Sequence, residues 1–62
     1  MEIYFILREY EIIDLITTDK ELWQKRLEEI AKPDGKLCAG DMAEVWKDNK
    51  KLYDVYKLQD IR

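Results

Sequence analysis

The sequence contains no histidine and no serine, and its single cysteine is Cys38. Without these residues, a Ser–His or Cys–His catalytic set cannot be assembled. Carboxylate pairs such as Glu9 with Glu11 or Asp54 with Asp60 have no accompanying nucleophile or metal-ligand set. One thiol cannot form an internal disulfide, and it is the only soft ligand available for a structural zinc ion. With no histidine to activate it, Cys38 is expected to be inert and partly buried. We therefore predict that the chain is not an enzyme, has no cofactor or metal site, and acts by binding.

The chain is also short, with 62 residues. This length predicts a single domain at residues 1–62, whose core would seldom supply more than about 3–5 kcal/mol of stability. Natural domains of this size gain stability from disulfides, metals or association with another chain. Of these three, the composition favours association, so we expect a protein partner or a homodimer.

Charge and hydropathy argue against other classes of protein. Eleven basic and fourteen acidic residues give a net charge of −3, and no cluster of Lys and Arg is present to bind phosphates. Nucleic-acid binding is therefore not expected. No apolar run approaches the roughly 20 residues of a membrane span, and the first residues lack the pattern of a secretory signal. A cytoplasmic location fits these features and the lone thiol.

The first 17 residues are rich in β-branched and aromatic side chains. Such residues favour strands, which predicts one strand at residues 2–8 and a second at 12–17. The connection at Glu9 and Tyr10 lacks the glycine or asparagine that a tight hairpin prefers. A single long bent strand and a helix therefore stay open as alternatives.

An amphipathic helix is predicted next. Thr18 and Glu21 have the spacing of a capping box, which predicts that Thr18 is the N-cap. Apolar residues then recur on one side of the helix: Trp23, Leu27, Ile30 and Ala31. Pro33 cannot continue a helix, so the helix is expected to end near Lys32 and to be followed by a turn and loop at 33–41.

The last third of the chain predicts a β-hairpin. Apolar residues dominate 42–46 and 52–58, and the polar segment 47–51 between them contains Asp and Asn suited to a bend. The predicted fold is therefore α+β, with a small antiparallel sheet in β-β-α-β-β order and one amphipathic helix packed on one face.

Both faces of the predicted sheet are apolar. Alternate residues of a strand point to opposite faces, and the first strand has apolar residues at both odd and even positions. A two-residue or four-residue hairpin loop places Ala43 and Val45 on one face. The other face then receives Met42, Trp46, Tyr53 and Val55. An antiparallel sheet that is apolar on both faces needs two covers, but the sequence predicts a single helix.

Two arrangements could bury the second face. The loop at 33–41 and the C-terminal residues 59–62 could fold over it, or it could be an interface with another protein. Tryptophan and tyrosine carry much of the binding energy at interfaces, and Glu44 and Asp54 could provide acidic edges for a basic partner. We favour the interface. The residues predicted to bind the partner are Tyr10, Met42, Glu44, Trp46, Tyr53 and Val55.

The strand led by Met1, the central helix and the lysine-rich hairpin at 45–55 resemble the small acidic host-takeover proteins of tailed phages, which include T-even phage antitoxins. This resemblance implies a protein that inhibits a bacterial host or defence protein by occluding it, in the host cytoplasm. It assigns no binding residue. A structural homodimer with no foreign target stays open as the alternative.

Overall fold

The computed structural model describes residues 1–62, which form four strands and one α-helix. The elements are β1 (Glu2–Arg8), β2 (Ile12–Thr17), α1 (Lys20–Ile30), β3 (Met42–Lys47) and β4 (Lys50–Val55), followed by a short 3-10 turn at Leu58–Asp60. The strands form one antiparallel sheet in the order β2-β1-β3-β4. The predicted α+β fold and element order are confirmed, and residues 2–17 form two strands rather than one bent strand or a helix.

The β1–β2 turn closes without glycine or asparagine because other parts of the chain hold it. Glu9 and Tyr10 both adopt left-handed backbone, with φ of 53° and 71°, at a cost of about 1–2 kcal/mol each. The Tyr10 N–H donates to the Gly40 carbonyl at 2.7 Å, and the Glu9 N–H donates to Asp41 Oδ1 at 3.2 Å. These two hydrogen bonds offset the cost of the turn.

The helix begins one residue later than predicted. Asp19 is the N-cap, and its side chain accepts from the Leu22 N–H at 3.2 Å. The prediction that Thr18 is the N-cap is wrong, because the preceding Thr17 hydroxyl accepts from the Asp19 N–H at 3.0 Å and fixes the carboxylate at the cap position. The helix ends at Ile30 rather than near Lys32.

The core lies between α1 and one face of the sheet. Trp23 and Leu27 of the helix are fully buried, as their positions on the apolar side of the predicted helix indicate. The Trp23 indole N–H donates to the Phe5 carbonyl at 3.0 Å, and its ring lies 4.9 Å from that of Tyr4. The other buried apolar residues of the core are Ile6, Leu37, Ala43, Val45 and Val55.

Two β-bulges interrupt the sheet and change which side chains share a face. In β2, Leu15 pairs with Ile6 and Ile13 pairs with Leu7, so Asp14 is the extra residue. In β4, Tyr53 pairs with Val45 and Lys51 pairs with Trp46, so Leu52 is the extra residue. Because strand alternation has a period of two, each extra residue reverses the faces of the side chains beyond it.

Candidate functional site: the open face of the sheet

One face of the sheet has no cover. The pairs Phe5–Ile16, Leu7–Ile13, Leu7–Met42 and Ile3–Trp46 place their side chains together on the side away from α1. We call this surface the open face. Its apolar residues are Ile3, Phe5, Leu7, Ile13, Ile16, Met42 and Trp46. Ile3, Ile13 and Ile16 are 39%, 55% and 51% exposed, and the other four are half-buried.

The segments that could have covered the open face lie on the opposite side. Leu37 of the 33–41 loop is part of the core beside α1, and Leu58 and Ile61 near the C-terminus pack against the same core. Lys20 on α1 donates to the carbonyl oxygen of Arg62, which ties the end of the chain to the helix side. Helix, loop and C-terminus therefore all share the covered face.

Three of the predicted binding residues lie on the open face. Met42, Glu44 and Trp46 alternate along β3 with the buried Ala43 and Val45. Trp46 packs edge-to-face against Phe5 on β1, with ring centroids 6.4 Å apart. Such aromatic pairs contribute about 0.5–1.5 kcal/mol beyond their burial.

The predicted placement of Tyr53 and Val55 is wrong. Val55 is fully buried and pairs with Ala43, while Tyr53 pairs with Val45 and packs against the core. The hairpin does have a two-residue turn, at Asp48 and Asn49, whose φ of 52° and 65° fit a tight hairpin. The bulge at Leu52 then rotates both side chains to the covered face, a reversal that simple alternation does not include.

Tyr10 lies on the β1–β2 turn, beyond the end of the open face, and is 82% exposed. Its ring lies against Gly40, where an added Cβ would be only 3.0 Å from Tyr10 Cε2, and Gly40 itself has a φ of 87°. The backbone conformation therefore favours glycine at this position, and an added Cβ would shift the exposed Tyr10 ring.

A groove of about 400 Å³ opens beside Tyr10. Tyr10 and Tyr56 line it together with Leu37, Met42 and residues 38–41. Because Met42 also belongs to the open face, the groove continues that surface past the end of β3. We call it the tyrosine groove.

A buried ion pair supports the tyrosine groove. The Asp41 side chain is only 4% exposed, and its Oδ2 accepts from Arg8 Nε at 3.3 Å. Its other oxygen, Oδ1, accepts from the Glu9 N–H. Asp41 therefore fixes the β1–β2 turn against the 33–41 loop, which holds Tyr10 at the groove.

Charged groups lie along one side of the open face. Glu44 and Asp54 are cross-strand neighbours, and Glu44 Oε1 accepts from the Trp46 indole N–H at 2.9 Å. Lys51 Nζ lies 3.2 Å from Asp54 Oδ1 and 3.9 Å from Glu44 Oε2. Its ion pair with Asp54 raises the pKa of Lys51. Two carboxylates and one ammonium leave this edge with one net negative charge.

Sequence reasoning missed the β1 and β2 side chains of this surface, namely Ile3, Phe5, Leu7, Ile13 and Ile16. Their alternation was visible, but it did not show which face α1 would cover. In the structure α1 covers the face that carries Tyr4 and Ile6, with the Trp23 ring 4.9 Å from that of Tyr4. The two faces of β1 are too similar in apolar content for the sequence to distinguish them.

The rest of the chain has few features that could form a reactive or metal-binding site. Cys38 is exposed, so the expectation of partial burial is wrong, because residues 38–40 lie at the groove surface rather than under it. No three Cys, Asp or Glu side chains are grouped so that they could hold a metal ion. No helix has the length and hydropathy of a membrane span.

No protein-family model matches the chain, and comparisons with curated proteins and with solved structures found no match.

Proposed function

We propose that this protein is a non-enzymatic protein-binding module that uses the open face of its sheet. The observation that supports the proposal most directly is that α1, the 33–41 loop and the C-terminus all pack on the same face of the sheet. The other face is also apolar, and no segment of the chain covers it. Large apolar patches left exposed on small proteins are characteristic of interaction sites.

The residues on the open face are those that protein interfaces favour. Trp46 and Phe5 form a packed aromatic pair near the middle of the surface, and buried aromatic residues dominate binding energy at interfaces. The exposed isoleucines of β2 surround them with apolar area. Glu44 and Asp54 give one edge a negative charge, which favours a partner with basic residues at that edge.

The resemblance to phage host-takeover proteins suggests a more specific role. We propose that the partner is a bacterial host or defence protein in the host cytoplasm, and that binding inhibits it by covering a functional surface. A rigid sheet needs little ordering when it binds, which favours inhibition by occlusion.

A pair of matched variants tests the proposal. Ile16→Glu adds a charge to the open face, and Leu22→Glu adds the same charge to a side chain of similar exposure on α1, 51% against 48%. Trp46→Ala removes the aromatic centre. Each protein is used as bait in a bacterial lysate, and circular dichroism confirms that each is folded.

The proposal predicts a specific bacterial protein that wild type and Leu22→Glu capture and that Ile16→Glu and Trp46→Ala do not. Capture by all four folded proteins, or equal loss with Leu22→Glu, would contradict it. Light scattering at several concentrations distinguishes a module that binds a bacterial protein from the alternative, a structural homodimer. A wild-type mass of two chains that Ile16→Glu reduces to one, with no captured protein, would favour the homodimer.

A further inference from the structure

We propose that the tyrosine groove binds an arginine side chain of the protein partner. This inference rests on the proposed function, because the groove extends the open face through Met42, which belongs to both. It adds the chemistry of one contact that the partner must make.

The shape and lining of the groove fit a long side chain with a flat cationic end. Tyr10 and Tyr56 are 82% and 57% exposed although they border a concave surface of about 400 Å³. Aromatic faces attract cations, and the planar guanidinium of arginine stacks on them better than the ammonium of lysine. The apolar side chains of Leu37 and Met42 can contact the methylene stem of the same arginine.

The charge around Tyr10 favours a cation. Glu9 and Glu11 flank this residue in the turn, both are exposed, and neither forms an ion pair. The carboxylate of Asp41 is balanced by Arg8, so the two glutamates leave the Tyr10 side with two net negative charges. On the Tyr56 side the nearby charges balance, with Lys36 and Lys57 against Asp34 and Asp60 and Lys51 against Asp54.

A different protein is the better source of the arginine. Each arginine of this chain already has an intramolecular contact: Arg8 with Asp41, Arg26 with Asp14, and Arg62 with the Tyr53 ring. A second copy of the chain would have to break one of these contacts to fill the groove. The groove therefore favours a foreign partner over a homodimer.

An NMR titration of the ¹⁵N-labelled protein tests this inference without the partner. The probes are N-acetyl-arginine methylamide and its citrulline counterpart, which has nearly the same shape but no charge. We expect saturable shift changes at Tyr10, Tyr56 and residues 38–42, with binding about tenfold weaker for citrulline. Equal binding of both probes, shifts elsewhere, or no saturation would overturn the inference.

Variants separate the two features of the groove. Tyr10→Leu or Tyr56→Leu is expected to weaken arginine binding about two- to fivefold. Glu9→Gln combined with Glu11→Gln is expected to weaken it as well, whereas the matched pair Glu21→Gln and Glu28→Gln on α1 leaves it unchanged. An equal loss of arginine binding in both double variants would contradict a local effect of the charges of Glu9 and Glu11. If arginine does not bind but Trp46→Ala still abolishes capture of the partner, the inference fails and the proposed function stands.

Discussion

Tyr53 lies directly opposite Val45 in the β3–β4 ladder, whereas Trp46, the next residue of β3, lies opposite Lys51. Leu52 has no partner between them. Tyr53 therefore belongs to the covered face, where Arg62 stacks on its ring at 4.5 Å, and Trp46 belongs to the open face. One unpaired residue thus decides which aromatic side chains the hairpin contributes to the core and which to the interaction surface.

Deletion of Leu52 is expected to leave the domain folded. Without the extra residue the ladder becomes regular, and Tyr53 still pairs with Val45 while Val55 still pairs with Ala43, so both side chains stay on the covered face. The free energy of unfolding should therefore change by about 1 kcal/mol or less. Urea denaturation followed by circular dichroism measures the change.

The substitution Leu52→Thr is the control for this deletion. It keeps the bulge and changes a side chain that is 45% exposed, so it should alter the free energy of unfolding by less than about 1 kcal/mol. A deletion variant that unfolds while the control stays folded would show that Leu52 is not the extra residue of β4.

Truncation of apolar residues should destabilise the fold by different amounts on the two sides of the sheet. Leu27→Ala removes a fully buried side chain and is expected to lower the free energy of unfolding by about 2–5 kcal/mol. Ile16→Ala on the open face should lower it by about 1 kcal/mol or less. Urea denaturation of both variants checks the difference. A large loss for Ile16→Ala would mean that the open face is buried in solution.

The ion pair between Asp14 and Arg26 predicts a specific dependence of stability on pH. Arg26 donates to both oxygens of the Asp14 carboxylate, at 2.8 and 3.0 Å, and these hydrogen bonds lower the pKa of Asp14. Because the pKa is lower in the folded state, the stabilisation is present above about pH 4 and is lost as the pH falls through the folded pKa.

Asp14→Asn should therefore be less stable than wild type at pH 7, and the difference should shrink as the pH falls below about 4. Urea midpoints measured across this range give the result. Glu11→Gln, which neutralises an exposed carboxylate without an ion pair, is the control and should show little difference at any pH. A constant difference between Asp14→Asn and wild type would argue against a titrating carboxylate.

Tyr4 should ionise only at high pH. Its hydroxyl donates to Glu2 Oε1 at 2.7 Å, and this bond, with burial, raises the pKa of Tyr4 to about 12. The raised pKa stabilises the fold below about pH 10, and this contribution is lost as the pH rises toward 12. Ultraviolet titration of tyrosinate should show a late step that Tyr4→Phe removes. A wild-type curve without that step would contradict the hydrogen bond between Tyr4 and Glu2.

The sequence was sufficient to predict the secondary structure because the local signals agree with the fold. The β-branched runs gave the bounds of β1 and β2, and the apolar spacing of Trp23 and Leu27 gave the buried side of α1. The helix cap was displaced by one residue, since Thr17, Thr18 and Asp19 are all suitable caps and only the tertiary path of the chain selects among them.

The candidate site was only partly predictable, because face assignment depends on bulges. Met42, Glu44 and Trp46 lie in β3, before the bulge at Leu52, and they are on the face predicted for the interface. Tyr53 and Val55 lie in β4 after the bulge, and they are on the covered face instead. No local sequence signal specifies an extra residue such as Leu52 in a hairpin whose turn is regular. The left-handed turn at Tyr10 likewise depends on distant hydrogen bonds to the 33–41 loop.

The exposure of methyl groups to a soluble paramagnetic gadolinium chelate tests the open face most directly. In the free protein, we expect strong relaxation of the Ile13 and Ile16 methyls and protection of Ile6 and Val55. Addition of the captured partner should protect Ile13 and Ile16 and leave the exposed Leu22 on α1 relaxed. If Ile13 and Ile16 are as protected as Ile6 in the free protein, or stay relaxed in the complex, the open face is not the surface that binds the partner.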